Sequence, residues 1–474
     1  MTTICLESVV PNGKQLHMSF SIDHAERFST TYWYDFRLDE LDELYGKEYM
    51  KTIYFHCAVF QLCQFVSVNP SDIDLGAYSS LLTDELAFLW GTVVTRVFGE
   101  WRYKHAMPDW KCPSFRAQPI DAIKSPSPKE IEGESEAKCL AFCGGGKDSL
   151  VALKLLESID EPYSSLSYSH SIYGRAARQH ELIDRLLDRC APTLRHSLWI
   201  YDDFLDSPAL RHVVASRGIR MMTGVETPAS LFAALPLALR YGYTILSLAH
   251  ERSANVGNLI WNATGEEINH QWGKSLDAQR RLRSYIQSQL VSNLIYFSPL
   301  MTIHDPLIFW LVNSQPVNAI AATHSCNIAK PWCRRCPKCC YVWLGYRAYV
   351  SLETTFGGDD DENLFDVDEN LIFFRQMLGL DEHTPFECLG GIDESRLAFE
   401  LCRRKGFRGK AIDAYVNEVW PQFASSATRV VKQYVKCHEE TDVVLPSFWD
   451  RLRKRLEETA ATAQAELLQR LEQG

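Results

Sequence analysis

The sequence lacks a long apolar run and a surplus of basic residues. No stretch of about 18 uncharged apolar residues occurs in the 474-residue chain, so we expect no transmembrane helix and no membrane partner. The first residues also lack the basic flank and apolar core of a signal peptide. Asp and Glu number 60 against 49 Lys and Arg, and the net charge of −11 argues against a nucleic-acid partner. We therefore expect a cytoplasmic protein that acts on a small molecule.

Cysteine, by contrast, is plentiful. The chain has 15 cysteines, and its hydrophobic content of 46% and aromatic content of 12% are typical of a well-packed globular protein. Because no export signal is visible, we expect reduced thiols, apart from one group that has the spacing of a metal site.

The pattern along the chain predicts an α/β fold. In the middle of the chain, apolar strands alternate with helices, which is typical of a parallel sheet covered on both faces, with ligands at the carboxyl ends of the strands. The expected strands are 139–143, 164–169, 195–200, 245–250 and 318–323. The expected helices are 149–158, 175–190, 228–241, 276–290 and 305–313.

Around this centre we expect further units. The pattern predicts an α+β N-terminal domain at 1–112, a linker at 113–137, a catalytic domain at 138–356 and a mostly helical C-terminal region at 357–474. The acidic segment at 357–364 reads as a solvated loop. The last helix, 448–471, has an apolar stripe that we expect to pack in the core.

The most informative motif is Cys143-Gly-Gly-Gly-Lys-Asp-Ser149, which follows one predicted strand and begins a predicted helix. Glycines let backbone N–H groups approach phosphate oxygens, and the helix N-terminus adds a partial positive charge. The spacing differs from that of the common P-loop, which keeps four residues between Gly and Gly-Lys-Ser/Thr. The motif predicts a phosphate-binding turn. The alternative is a strand-to-helix turn with no ligand.

A second motif is a group of cysteines, Cys326, Cys333, Cys336 and Cys339, followed by Cys340. Two overlapping Cys-x2-Cys steps can turn thiolates toward one point, and Cys326 would complete a tetrahedral zinc site. An iron–sulfur centre shares the spacing, and reduced core cysteines are the alternative without a metal.

Three polar segments lie at predicted strand or helix ends, at 224–228, 250–258 and 269–275. Each mixes amide, hydroxyl, carboxylate or cationic groups of the kind that bind phosphates, sugar hydroxyls and a second carboxylate. Any one of them alone would read as caps and loops. Three in series after a phosphate-binding turn predict a shared site.

With these segments, the chain resembles a known family. The glycine turn is similar to that of the ATP pyrophosphatases of the PP-loop superfamily, which split ATP into AMP and pyrophosphate. The chain resembles more specifically the ATP-dependent UDP-N-acetylmuramoyl-L-alanyl-L-glutamate epimerases of peptidoglycan precursor synthesis. The segments that carry this resemblance are 143–149, 251–258, 269–275, 323–339 and 385–390.

The resemblance implies a PP-loop, HUP-like core. It also implies epimerisation of the terminal L-glutamate of the UDP-linked dipeptide to D-glutamate through an acyl-adenylate. This reaction would consume ATP and use Mg²⁺. The cysteine spacing adds Zn²⁺ as a candidate metal. One alternative is an ATP pyrophosphatase of the deazaguanine-synthase or tRNA-modifying type. Another is a non-catalytic nucleotide-binding scaffold.

Roles for single residues follow from this chemistry. Gly144, Gly145, Gly146 and Ser149 are expected to bind phosphate, Lys147 to neutralise its charge, and Asp148 to hold Mg²⁺ or position the nucleotide.

Proton transfer at the α-carbon needs groups with suitable pKa values, and the candidates are His270, Glu251 and Lys274, with His324 as a further choice. The residues expected to hold the substrate are Arg252, Asn255, Asn258 and Gln271.

Overall fold

The computed structural model describes residues 2–116, 126–132, 137–170, 174–208, 210, 211, 215, 221–223, 225–350, 362–439 and 445–472. Its strands are β1 Thr3–Asn12, β2 Gln15–Ile22, β3 Glu26–Trp33, β4 Asp72–Asp74, β5 Ser114–Phe115, β6 Cys139–Cys143, β7 Tyr163–Tyr168, β8 Arg195–Asp202, β9 Ile245–Ser247, β10 Leu259–Trp261, β11 Glu266–Ile268 and β12 Ile295–Phe297.

The α-helices are α1 Asp39–Tyr45, α2 Lys47–Phe65, α3 Asp84–Val97, α4 Gly99–Lys104, α5 Lys147–Ser158, α6 Ala176–Leu187, α7 Glu226–Ala233, α8 Leu235–Tyr241, α9 Leu276–Gln289, α10 Asp305–Asn313, α11 Val317–Ala321, α12 Pro337–Tyr349, α13 Asp368–Met377, α14 Ile392–Arg404, α15 Lys410–Ala414, α16 Trp420–Phe423, α17 Ala427–Tyr434 and α18 Pro446–Glu472.

A ten-stranded sheet in the order β12-β9-β6-β7-β8-β3-β2-β1-β4-β5 organises the described residues. The five strands from β12 to β8 are parallel, as are β1, β4 and β5. Strands β8, β3, β2 and β1 pair antiparallel. The strands of the predicted N-terminal unit therefore extend the sheet of the catalytic unit, and the division into domains stays a prediction.

The central parallel strands β6, β7 and β9 are buried on both faces, as parallel strands require. Along β6, Leu140 faces one core cluster while Cys139, Ala141 and Cys143 face the other. The first cluster also contains the apolar side chains of β1–β3 and α2, and the second contains those of α5, α10 and α12–α14.

Most of the predicted elements are present. The expectation of a mixed α/β fold with a helical C-terminal region is confirmed for the described residues, and strands 139–143 and 195–200 lie within β6 and β8. In α18, Phe448, Leu452 and Leu467 are buried, so the apolar stripe packs in the core as expected.

One predicted strand is wrong. Residues 318–323 overlap α11, Val317–Ala321, and the last parallel strand is β12. The segment Val-Asn-Ala-Ile-Ala-Ala follows Pro316, and its alanines favour the helix while the proline precedes the first turn. A short apolar run cannot be assigned by periodicity alone.

Two predicted features lie wholly or partly outside the described residues. Residues 357–361 of the acidic segment lie outside the described residues. Much of the linker does as well, although β5 and residues 126–132 are described. Among the described helices, none is both long and apolar enough to cross a membrane.

Candidate active site

The glycine turn lies at the carboxyl end of β6, between its parallel neighbours β7 and β9. Gly145 has a φ of +82°, and a Cβ built on it would lie 1.9 Å from Cε1 of His324. Gly145 therefore allows both the turn and the close approach of this ring. The backbone N–H of Gly144 donates to Ser149 Oγ at 3.1 Å, and α5 begins at Lys147.

The ring of His324 closes one side of the turn. Its backbone N–H donates to the carbonyl oxygen of Gly145 at 2.8 Å. Neither ring nitrogen has a hydrogen-bond partner of good geometry among the described residues, although both are buried. Burial lowers the pKa of His324 to about 3, so the ring is neutral. An unpartnered imidazole beside a glycine turn fits a ligand that offers hydrogen-bonding oxygens.

Lys147 lies beneath the turn, between two carboxylates. Its Nζ donates to Asp148 Oδ1 and to Asp305 Oδ1, each at 2.5 Å. The side chains of Lys147 and Asp305 are 1% exposed, whereas that of Asp148 is 21% exposed. Burial opposes the charge of Lys147, but the two carboxylates raise the pKa of its ammonium above the ordinary value. The two carboxylates already neutralise this ammonium. The expected contact of Lys147 with phosphate stays a prediction.

Asp305 links the turn to the helical C-terminal region. Tyr341 donates its hydroxyl to Asp305 Oδ2 at 2.8 Å. The backbone N–H of Asp305 donates to Glu394 Oε1 at 3.1 Å, and Ser253 Oγ donates to the same oxygen at 2.7 Å. These contacts fix the carboxylate at the start of α10 against the side of α14.

Glu251 is a third carboxyl group at this place, and it is buried. Burial, together with Asp148 and Asp305, raises its pKa to about 7. Burial also raises the pKa of Asp148, but Lys147, Lys338 and the other nearby cations hold it below its ordinary value. Carboxyl groups with opposite shifts in one site are a common arrangement for acid–base chemistry.

The predicted substrate residues are mostly engaged in holding the polar segments together. Asn255 Oδ1 accepts the backbone N–H of Leu276 at 2.8 Å. Asn258 accepts the backbone N–H of His270 at 2.9 Å and donates to the carbonyl oxygen of Pro385 at 2.9 Å.

Arg252 is half-buried in a 3₁₀ turn, Arg252–Asn255. Gln271 Nε2 donates to the carbonyl oxygen of Leu389 at 2.9 Å, and its buried Oε1 has no partner among the described residues.

Lys274 and His270 meet at a thiol that the sequence motifs did not single out. Lys274 Nζ donates to Cys388 Sγ at 3.0 Å. His270 Nδ1 pairs with Glu100 Oε2, and a ring nitrogen of His270 lies within 4.8 Å of Cys388 Sγ. Lys338 Nζ donates to the carbonyl oxygen of Cys388.

Electrostatics join this thiol to the glycine turn. Burial opposes the charge of Lys274, but Cys388 and Glu251 raise the pKa of its ammonium, and Asp148 adds to the effect. Lys274 and Lys338 are in turn among the cations that lower the pKa of Asp148. The turn and the polar segments 250–258 and 269–275 are therefore neighbours, and the place of segment 224–228 in the same site stays a prediction.

The four predicted cysteines come together at the start of α12. Their sulfur atoms all lie within 4.8 Å of one another, with Cys326 3.9 Å from Cys336 and Cys333 3.8 Å from Cys339. A zinc–sulfur distance of about 2.3 Å in a tetrahedron gives sulfur–sulfur distances of about 3.8 Å. Cys340 points elsewhere, into the second core cluster.

Backbone N–H groups surround these sulfurs. Those of Ile328 and Ala329 point at Cys326 Sγ, at 3.4 and 3.2 Å, and that of Cys339 points at Cys336 Sγ at 3.4 Å. Such donors stabilise thiolates, so the donor set fits a soft divalent metal held by four sulfurs.

Two family models match segments of this chain. The model of the MurL N-terminal domain matches residues 224–299, which hold the polar segments. The model of the MurL C-terminal domain matches residues 319–431, which hold the cysteines and Cys388. The UDP-N-acetyl-alpha-D-muramoyl-L-alanyl-L-glutamate epimerase of a Micromonospora species is 30% identical over 366 residues, covering 73% of this chain and 75% of the relative. The chain belongs to this epimerase family.

Two further relatives carry the same name. The epimerase of Salinispora tropica is 29% identical, over 71% of each chain, and that of Xanthomonas oryzae pv. oryzae is 25% identical, over 82% of each. The glycine turn lies outside both matched domain segments.

Sequence reasoning missed several members of the site: Glu100, Asp305, Lys338, Tyr341, Cys388 and Glu394. Cys388 belongs to segment 385–390, which carries the resemblance, but nothing nearby marks it as reactive. Asp305 begins a predicted helix, where an acidic residue is ordinary.

Proposed function

We propose that this chain epimerises the terminal L-glutamate of UDP-N-acetylmuramoyl-L-alanyl-L-glutamate to D-glutamate and consumes ATP in doing so. The family relationship supports the epimerase activity. All three relatives are named as epimerases, which favours this function over a deazaguanine synthase, a tRNA-modifying enzyme or a scaffold.

The use of ATP follows from the chemistry of the α-proton. Removing this proton beside an ionised carboxylate would place negative charge next to negative charge. Conversion of the carboxylate to an acyl-adenylate removes that charge and lets the carbonyl oxygen accept the electron pair. Pyrophosphate leaves when the adenylate forms, and AMP leaves when water hydrolyses the epimerised adenylate to the free carboxylate. This explains why an isomerase would keep a phosphate-binding turn.

The single observation that carries this proposal is the electrostatic coupling of Asp148, in the glycine turn, with Lys274 and Glu251, in the family-matched segment. A turn that served only as a structural connection would not need a charged side chain that interacts electrostatically with those residues. We infer a PP-loop, HUP-like arrangement in which β6 and α5 hold the nucleotide phosphates at Gly144, Gly145, Gly146 and Ser149.

The residues of the site then take these roles. Lys147, held by two carboxylates, fixes the position of Asp148, whose partly exposed carboxylate is the candidate for Mg²⁺. Lys274 and Lys338 supply the positive charge nearest the reacting carbonyl. His270, Glu251 and Lys274 form the proposed proton-transfer centre, and Arg252 is proposed to pair with the side-chain carboxylate of glutamate.

The test is conversion of the named dipeptide with ATP and Mg²⁺. We expect D-glutamate after acid hydrolysis of the product. In the initial phase of the reaction, one AMP and one pyrophosphate should be released per dipeptide epimerised. Conversion without ATP would contradict the role of the glycine turn, and AMP formation without any D-glutamate would contradict the epimerase activity.

We further propose that the four cysteines hold a structural zinc ion. Metal analysis of the purified protein should give one zinc per chain, and Cys336→Ser should lose it, while Cys340→Ser should keep it. Iron in place of zinc, with visible absorption, would favour the iron–sulfur alternative.

A further inference from the structure

Cys388 is a half-buried thiol with cationic groups on more than one side. Lys274 Nζ lies 3.0 Å from its sulfur, and a ring nitrogen of His270 lies nearby. Lys338 donates to its carbonyl oxygen from α12. Cations next to a thiol favour the thiolate, which is the form that accepts a proton.

A metal ion is the competing explanation for this cluster, because His270, Glu387 and Cys388 could each offer a ligand atom. The ammonium of Lys274, however, already lies at hydrogen-bond distance from the sulfur. A divalent cation bound there would face that charge at close range. The cluster is therefore built to hold an anion.

The segment around Cys388 is fixed against the rest of the site. A Cβ on Gly390 would lie 2.2 Å from the hydroxyl oxygen of Tyr341, so the segment packs directly on the residue that donates to Asp305. On the other side, the amide of Gln271 donates to Leu389 and leaves its buried Oε1 without a partner among the described residues. That free acceptor suits an N–H group of a bound ligand.

We propose that Cys388 is a catalytic acid–base residue of the epimerisation, which removes the glutamate α-proton as a thiolate and returns it as a thiol in the reverse direction. The inference rests on the proposed function. It places the proton at a sulfur that Lys274 and His270 hold in position.

The step balances without a further reagent. The α-carbon–hydrogen bond breaks, an S–H bond forms, and the electron pair moves to the carbonyl oxygen of the adenylate. The pair then returns to the α-carbon as it takes a proton on its opposite face from a second acid. Glu251 is the candidate for that acid, since it is a buried carboxyl of the segment that precedes Lys274 in the same site. Solvent restores both groups after release.

The charges that face Cys388 are consistent with this role. Burial alone would raise the pKa of the thiol, but Lys274, His270 and Lys338 lower it below its ordinary value against the opposing charge of Glu387. These cations therefore favour the thiolate more than an ordinary cysteine environment does.

The experiment separates adenylation from proton transfer. In Cys388→Ala and Cys388→Ser, exchange of labelled pyrophosphate into ATP with the dipeptide present should stay within about threefold of the unaltered chain. Incorporation of deuterium from D₂O at the glutamate α-carbon should fall by about 10²–10⁴-fold, the usual contribution of a general base. Cys190→Ala, at another half-buried thiol, is the matched control and should change neither rate.

The outcomes distinguish this inference from the proposed function. If the unaltered chain neither exchanges pyrophosphate nor forms D-glutamate, the proposed function fails. If the unaltered chain is active and both Cys388 variants exchange the α-hydrogen at its rate, the role of Cys388 is wrong. Loss of pyrophosphate exchange to the same extent as α-hydrogen exchange would also contradict it, since Cys388 would then only maintain the site.

Alkylation gives a second test that needs no turnover. Iodoacetamide should modify Cys388 at pH 7 faster than Cys190, and Lys274→Met should slow that reaction because the thiolate loses its nearest cation. Equal rates at the two thiols, or no effect of Lys274→Met, would contradict a thiolate at Cys388.

Discussion

Lys147 and Lys274 are two lysines of one site whose partners differ in kind. Lys147 is buried between Asp148 and Asp305, and both carboxylates are fixed by the fold. Lys274 is half-buried and faces Cys388, a group that can take up a proton. We call Lys147, Asp148 and Asp305 the loop region, and His270, Lys274 and Cys388 the thiol region.

The difference indicates that the two regions have different functions. The loop region is a permanent ion pair, so changing it should affect the stability of the fold and the position of the glycine turn. The thiol region can lose its charge by protonation, so changing it should affect proton transfer while the fold persists. The variants below test this division, from the largest expected effect on stability to the smallest.

Lys147→Met leaves the buried carboxylate of Asp305 and the partly exposed one of Asp148 without their cation, so we expect the free energy of unfolding to fall by about 3–5 kcal/mol. Urea denaturation measures it. The matched control is Lys154→Met on the same helix, where the pair with Glu157 is partly exposed and a loss below about 1 kcal/mol is expected. Equal losses in the two variants would contradict the structural role of the loop region.

Glu251→Gln tests the pH dependence of the site in metal-free protein. The folded-state pKa of about 7 lies above the ordinary value of 4.5, so the folded chain keeps a proton that the unfolded chain loses. Stability therefore falls as the pH rises from about 4.5 to 7 and stays low above that window.

Removing this carboxyl should stabilise the chain at pH 8 by roughly 3 kcal/mol relative to its effect at pH 4, because one pKa unit corresponds to about 1.4 kcal/mol. Denaturation at both pH values measures the difference. The exposed Glu43→Gln serves as control, with changes below about 0.5 kcal/mol at either pH. A pH-independent effect of Glu251→Gln would be inconsistent with a buried carboxyl of raised pKa.

Gly390→Ala should displace the segment that carries Cys388, because the new Cβ would meet the hydroxyl of Tyr341. Such overpacking costs about 1–3 kcal/mol, and we expect α-hydrogen exchange to fall more than pyrophosphate exchange. Gly91→Ala, in a helix with open space around it, should be neutral or stabilising. Unchanged exchange in Gly390→Ala would show that the thiol need not be held there.

Lys274→Met should change stability least, by about 1 kcal/mol or less, since the thiol left behind can protonate at little cost. Its turnover should nevertheless fall by about 10²-fold or more, because the thiolate loses its partner. Urea denaturation and turnover should be measured on the same preparation of each variant, Lys274→Met and Lys147→Met, and then compared. A loss of stability as large as that of Lys147→Met would erase the distinction between the two regions.

The glycine turn of the loop region was predictable from sequence, whereas the meeting of Lys274 with Cys388 in the thiol region was not. The motif from Cys143 to Ser149 is local, so seven adjacent residues contain the strand end, the turn and the helix start. The cysteine group was likewise predictable, because its spacing alone brings three of the four sulfurs together. Lys274 and Cys388, however, are 114 positions apart, and only the packing of the 385–390 segment makes them neighbours.

The limits of sequence reasoning also appear in the fold. Asp305 meets Lys147 across 158 positions, and no periodicity reports such a contact. The N-terminal strands join the catalytic sheet through β3 and β8, a pairing between residues about 170 positions apart. The sequence predicts that Asn258 holds substrate, and that role stays a prediction. The structure adds bonds from its amide to His270 and Pro385, which sequence alone does not reveal.

The central claim is that the two regions act in order, with activation at the glycine turn preceding proton transfer at the thiol. Exchange of the glutamate α-hydrogen with D₂O, followed by mass spectrometry with and without ATP and Mg²⁺, tests it most directly. We expect deuterium at the glutamate α-carbon only when ATP and Mg²⁺ are both present. Exchange at the same rate without ATP would contradict it.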